Sequence, residues 1–179
     1  NKKKLKQEVL PALTSWMQEK KYPFYFFTEA SINLADDEEL MQMMVKAGFN
    51  TVFIGIETTN EERLVECNKL QNKDRDLIKC VKKIHSFGLQ VQGGFIVGFD
   101  HDNATVFEKM VHFIQESGIV TAMVGLLNAP KGTKLYRRLA KEGRLIDNFS
   151  GNNTDYSINF IPKMDKNLLV KGYQHKIGR

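Results

Sequence analysis

Three times along this chain a helical stretch ends on glycine, an apolar residue follows, and a short β-favouring run comes next. The instances are Ala47-Gly48-Phe49 before Thr51–Glu57, Phe87-Gly88-Leu89 before Val91–Asp100, and Ser117-Gly118-Ile119 before Thr121–Leu127. Glycine suits the left-handed C′ position that ends a helix, and the apolar residue suits the contact that accompanies this cap. Each run leads in turn to a helix start. Thr58 and Thr59 stand three residues before Glu61 and Glu62, as in a capping box, and Asp102 or Asn103 precedes the helical period of Val106, Phe107, Met110, Val111, Phe113 and Ile114. Strands alternating with helices imply right-handed crossovers and a parallel sheet. The expected fold is α/β: part of a TIM-like (β/α) barrel with at least four parallel β-α units.

The first unit is read upstream of these three. Lys4–Glu19 has a helical period, with Pro11 placed to kink or delay it. The aromatic run Phe24–Ala30 reads as the first strand, and Asp36 or Asp37 caps a helix reaching about Lys46. Met41, Met43 and Met44 read as core filler. After Arg144 the pattern loosens into a polar loop at Phe149–Asp155, an extended segment at Tyr156–Pro162 resting on the barrel, and a helix at Asp165–His175. Residues 1–145 are therefore expected to be barrel, and 146–179 a C-terminal extension packed on it.

With 179 residues, 42% of them hydrophobic, the chain can build one sizeable core. It has no apolar run of membrane-spanning length and no apolar segment behind Asn1-Lys2-Lys3-Lys4, so a soluble, cytoplasmic protein is expected. The net charge of +5 is spread through helices, which reads as a solvated surface rather than a nucleic-acid patch. Cys67 and Cys80 form no disulfide framework and no metal-ligand spacing. His85, His101, His112 and His175 are scattered, so no metal site is predicted.

In a parallel sheet of this kind ligands lie at the carboxyl ends of the strands. The polar residues expected there are Glu29 with Asn33, Glu57 with Thr58, Gly98 to Asp100, and Asn128. A carboxylate in such a place is costly unless partnered, so each either binds something or caps the next helix. Binding is expected of Glu57 and capping of Asp100, while Glu29 is open between the two. The glycine-broken run Gln92–Asp100 leaves room for another backbone or a flat ligand.

Gly55-Ile56-Glu57-Thr58, Gly93-Gly94-Phe95-Ile96-Val97-Gly98-Phe99 and Leu127-Asn128-Ala129-Pro130-Lys131-Gly132-Thr133-Lys134-Leu135-Tyr136 resemble, in order and spacing, consecutive segments of a radical S-adenosylmethionine (radical SAM) enzyme. The resemblance runs from about Tyr22 to Arg144 and is nearest to the cobalamin-domain-linked branch. It implies that Glu57 contacts the ribose or methionine part of S-adenosylmethionine. It further implies that Gly94, Ile96 and Gly98 face the adenine, that Leu126 and Leu127 line the same pocket, and that Glu29 and Asn33 touch cofactor or substrate. The implied cofactors are S-adenosylmethionine and a [4Fe-4S] cluster, with cobalamin where a cobalamin domain is linked. Bound together, they yield a 5′-deoxyadenosyl radical that takes a hydrogen from the substrate. Implied partners are a small-molecule substrate and an electron donor such as flavodoxin or ferredoxin, with no membrane.

The chain departs from the family pattern in lacking the Cys-x3-Cys-x2-Cys loop that holds the cluster. The expectation is a barrel truncated on its N-terminal side. Such a fragment has the cluster only in the full-length protein, contains no catalytic residue of its own, is inactive alone, and can self-associate through its exposed first strand. Two other classes give similar patterns. An aldolase- or synthase-like barrel would need a strand-end lysine or a late phosphate-binding glycine loop, and neither is seen. A non-catalytic, doubly wound α/β binding module is the alternative.

Overall fold

The computed structural model describes residues 2–59, 64, 69–146 and 157–176. Strands β1 (Phe26–Ala30), β2 (Phe49–Glu57), β3 (Gln90–Val97) and β4 (Thr121–Leu126) form one parallel sheet in chain order. Before, between and after them run α1 (Leu10–Glu19), α2 (Glu38–Lys46), α3 (Leu77–Ser86), α4 (Val106–Ser117), α5 (Lys134–Lys141) and α6 (Lys166–Lys176). A doubly wound sheet reverses its strand order at a switch point, whereas a barrel steps always the same way. The order β1-β2-β3-β4 shows no reversal, so the fold is α/β with the repeat of a TIM-like barrel.

The repeating glycines behave as their sequence context dictates. Gly48, Gly88 and Gly118 have φ of 96°, 90° and 78°, left-handed values that a side chain rarely adopts. Leu89 and Ile119, which follow the last two, are buried. Pro11 does not delay its helix, which is helical from Lys2 to Glu19, but a π-helical turn stands before the proline. Leu5–Val9 is a π-helical turn, in which the Leu10 amide reaches back five residues to the Leu5 carbonyl, and α1 opens around the proline, whose missing N–H is tolerated in a first turn. Capping before α2 falls to Asp37, which accepts from the Leu40 amide at 3.1 Å. Thr58 and Thr59 are described, but Asn60–Arg63 are not, so the proposed capping box with Glu61 and Glu62 lies outside the described residues. The polar loop at Phe149–Asp155 does too.

The chain forms two compact units: Asn1–Ile56 with Leu70–Gly94 and Phe113–Met123, and Glu57–Lys69 with Phe95–His112 and Val124–Arg179. In the first, β1 and β2 pair with Thr28 opposite Val52 and Ala30 opposite Ile54. Val52, Ile54 and Ile56 are fully buried, together with Leu10, Met17, Ile32, Met41, Val81, Ile84 and Val91. Alternation along the strands sends Glu29 and its partner Phe53 to the opposite face. His85 ties α3 to β3: burial lowers its pKa, and the neutral Nε2 accepts the Val91 N–H at 3.1 Å. Met41 and Met44 are core residues, as expected, whereas Met43 is only half-buried.

In the second unit the core is Phe95, Val97, Phe99, Val106, Phe107, Met110, Leu139, Phe160 and Leu169. The extended segment expected around Tyr156–Pro162 is present from Ser157 onward, with Phe160 bridged antiparallel to Leu145. The helix after it starts one residue later than expected, because Asp165 caps it by accepting from Leu168 N at 2.8 Å.

Candidate functional site

In the second unit β2 delivers Glu57 at its last position. Its φ of 63° is left-handed, an uncommon conformation for a residue with a side chain and a cost of about 1–3 kcal/mol that the surroundings must sustain. The carboxylate is only 16% exposed and meets the Lys69 ammonium at 2.8 Å. Nothing in the sequence identified Lys69 as its partner. In the first unit the Asn72 amide, 2% exposed, donates to the Gly55 and Ile56 carbonyls at 3.2 and 3.0 Å, so the strand is pinned up to the residue before Glu57.

Further along the second unit, β3 stops at Val97 and not at Asp100 as read from the sequence. Gly98 turns away with φ of 108°, and the buried Asp102 carboxylate takes the Gly98 and Phe99 amides at 2.6 and 3.1 Å. Asp102 thus holds the strand end, while Asn103 organises the start of α4 by accepting from the Thr105 amide at 3.1 Å. A side chain at Gly98 would meet Leu127 and Leu169, so its room is taken by these two leucines. Asp100, expected to cap a helix, instead receives Arg144 at 2.6 and 3.1 Å, and also Arg138, with its side chain 3% exposed. Burial alone would raise its pKa, but the hydrogen bonds from Arg144 and Arg138 hold it down at about 2. The same pairing raises the Arg144 pKa. The sequence could not announce this pairing, because the partners stand 38 and 44 residues away.

Ile96, Leu126 and Leu127, expected to line a pocket, are each only half-buried at the ends of β3 and β4. Beside them Gly125 has open space where a side chain would stand. The second unit therefore carries half-buried apolar residues at the ends of β3 and β4, a partly desolvated carboxylate at Glu57, and open space beside Gly125. A donor set of that kind fits the adenosine and amino-acid parts of S-adenosylmethionine. It does not fit an iron–sulfur cluster: among the described residues no group of three or more His, Cys, Asp or Glu could hold a metal. Cys80 is a free thiol, and Cys67 lies outside the described residues.

The other expected residues lie in the first unit. Glu29 and Asn33 line a cavity of about 260 Å³ whose apolar floor includes Leu10, Leu40, Met44 and Phe49. Glu29 is exposed, and the Asn33 amide oxygen accepts from the Ser31 hydroxyl at 2.5 Å. Gly94 is explained by packing: a side chain there would lie 2.7 Å from Cζ of Phe53. Gly94→Ala is expected to cost about 1–3 kcal/mol, as overpacking does, and Phe53→Leu in the same chain should recover part of it. Chemical denaturation of the three variants checks this; an Ala variant as stable as the parent would mean the ring gives way freely.

Comparison with known proteins adds two family models and three relatives. A model of the radical SAM superfamily matches residues 7–114, and a domain of unknown function, DUF4070, matches residues 133–179. An uncharacterized methyltransferase of Synechocystis sp. is 43% identical over 163 residues, 90% of this chain and 30% of that protein. The hopanoid C-2 methylase of Rhodopseudomonas palustris is 32% identical over 170 residues, 93% of this chain and 32% of that protein. The bacteriochlorophyllide d C-12(1)-methyltransferase of Chlorobaculum tepidum is 27% identical over 117 residues, 65% of this chain and 26% of that protein. The chain spans about a third of the length of these relatives or less.

Proposed function

The chain belongs to the radical SAM superfamily, and from that premise we propose that the whole protein transfers a methyl group to a small-molecule acceptor with S-adenosylmethionine as cofactor. This narrows the wider oxidoreductase or transferase reading to methyl transfer, because the relatives above are named as methyltransferases or a methylase. The two whose names give an acceptor, a hopanoid and a bacteriochlorophyllide, differ in it, so the acceptor of this protein is not carried over from either.

The observation that carries the reading is Glu57, a strained and partly desolvated carboxylate at the end of a parallel strand. Strain of that kind persists where the surroundings impose it, and it gathers at functional sites. When bound, the cofactor supplies the radical chemistry and the transferable methyl group. The residues of this chain bind and orient it. Glu57 accepts hydrogen bonds from its ribose or amino-acid part, with Lys69 holding the carboxylate in place between ligands. Ile96, Leu126 and Leu127 cover the adenine and exclude water from it. Thiolates outside this chain hold the cluster, and an electron donor such as flavodoxin or ferredoxin reduces it. Cobalamin is a further cofactor of the whole protein if a cobalamin domain is linked to it.

The test is anaerobic reconstitution of the whole protein with iron and sulfide, followed by incubation with S-adenosylmethionine and a reductant. Cofactor consumption above the unreduced control is expected, while the 179-residue chain alone should hold no stoichiometric cluster and consume none. A whole protein that carries an intact cluster yet neither binds nor consumes the cofactor would overturn the proposal.

A further inference from the structure

We infer that Asn159 is a positioning residue for the cofactor wall of the second unit, acting through Ala129 and Asn128 on Leu126 and Leu127. The inference rests on the reading of those leucines as cofactor-covering, and it gives a task to the segment that DUF4070 matches.

The backbone beyond β4 needs partners that the sheet does not supply. On one side the Leu127 amide donates to the Val97 carbonyl at 2.8 Å, continuing the ladder with β3 by one residue. On the other side no strand follows among the described residues, and two asparagines make the bonds a strand would make. The Asn128 side-chain amide donates to the Leu126 carbonyl at 3.3 Å and to the Ser157 carbonyl at 3.2 Å, and its oxygen accepts the Asn159 backbone N–H at 3.1 Å. Asn159 answers with its own side chain: its oxygen accepts the Ala129 N–H, and its nitrogen donates to the Ala129 carbonyl, both at 2.8 Å. The Asn159 carbonyl is taken as well, by the Ile146 amide at 2.9 Å.

A carboxamide is the side chain that can offer a donor and an acceptor to one residue's N–H and C=O at once, as a neighbouring strand would. Asn159 is 5% exposed, so these bonds are made away from water, where leaving a partner unsatisfied is expensive. Residues 126–129 are thereby clamped from both sides. A loop that would otherwise carry Leu126 and Leu127 loosely becomes a fixed surface, and a fixed surface binds a ligand without an ordering cost at the moment of binding. The sequence offered no sign of this, since Asn159 stands in an unpatterned stretch 31 residues after its partner.

Asn159→Asp keeps the shape but replaces the donor by a second acceptor facing the Ala129 carbonyl. In the full-length, cluster-reconstituted protein this variant should bind S-adenosylmethionine about tenfold more weakly, roughly the equilibrium equivalent of one net hydrogen bond. Leu127→Ala is the benchmark and should weaken binding comparably. The double variant should be no worse than the worse single one, because both act on the same wall. Asn128→Asp removes only the donors to the Leu126 and Ser157 carbonyls and carries the same expectation if Asn159→Asp does not fold. Calorimetric titration reads the affinity and thermal melting reads the fold. If Leu127→Ala weakens binding while both Asp variants melt early but bind like the parent, Asn159 is merely structural and the inference falls. If Leu127→Ala itself leaves affinity unchanged, the cofactor-wall reading falls, and the inference with it.

Discussion

Glycine in place of Glu57 should leave the fold about as stable as the parent and weaken S-adenosylmethionine binding by roughly ten- to a hundredfold. The two effects separate because the residue is strained. At φ of 63° a side chain costs about 1–3 kcal/mol that glycine does not incur. Against that gain stands the Lys69 pair, whose lysine side chain is 31% exposed and can turn to water, so its loss costs up to about 1 kcal/mol. The carboxylate's charge-assisted bond to a bound cofactor is worth about 1.5–3 kcal/mol, and about 1.4 kcal/mol is a factor of ten in affinity. Glu57→Ala makes the matched control, since alanine keeps the backbone strain while losing the same carboxylate. It should bind as weakly as the glycine variant but melt earlier. Titration calorimetry on the full-length protein beside thermal melts measures both quantities. A glycine variant that binds the cofactor like the parent would remove Glu57 from the site and most of the functional argument with it.

Asp100→Asn is expected to produce the largest loss of stability of any single change considered, about 3 kcal/mol. Removing one member of a buried ion pair leaves the other charge unsolvated, which typically costs about 3–5 kcal/mol. The lower end applies here because Arg138 is 39% exposed and Arg144 keeps Glu142 at 2.8 Å. The pH dependence follows from the same contacts. The folded-state pKa of Asp100 is about 2, below its ordinary 3.8. A depressed carboxyl pKa means that the stabilisation is fully present above about pH 4 and is lost as pH falls from there through about 2. Its size is roughly 2.5 kcal/mol, the free-energy equivalent of that shift. Urea melts of the parent between pH 2 and 5 should show a decline to which Asp100 contributes, and in Asp100→Asn that contribution should vanish. Parallel pH profiles for the two proteins would show that the carboxylate is not the group responsible.

Much of the scaffold was legible because its signals are local. A glycine at a helix C′ position, an apolar residue after it and an alternating run are read within about ten residues, and the conformations they require are those that Gly48, Gly88 and Gly118 adopt. Glu57 was legible for the same reason: a lone carboxylate closing an apolar run stands out against its neighbours. The end of β3 was misplaced by three residues because a contact outweighed propensity there. Phe99 suits a strand, but Asp102 claims the Gly98 and Phe99 amides first.

Taken alone, the order of residues determined the β-α repeat, the parallel sheet and a carboxylate at the end of β2, all of which depend on periodicity and on what sits at a strand's end. Tertiary structure alone decided who partners whom: Lys69 for Glu57, Arg144 and Arg138 for Asp100, Asn159 for Asn128 and Ala129. The reason is physical. Propensity and capping are set by near neighbours along the chain, whereas the choice of a distant donor for a buried acceptor depends on which groups folding strips of water together. Many lysines, arginines and asparagines in this sequence could have served, and only the packed chain brings these within hydrogen-bonding reach.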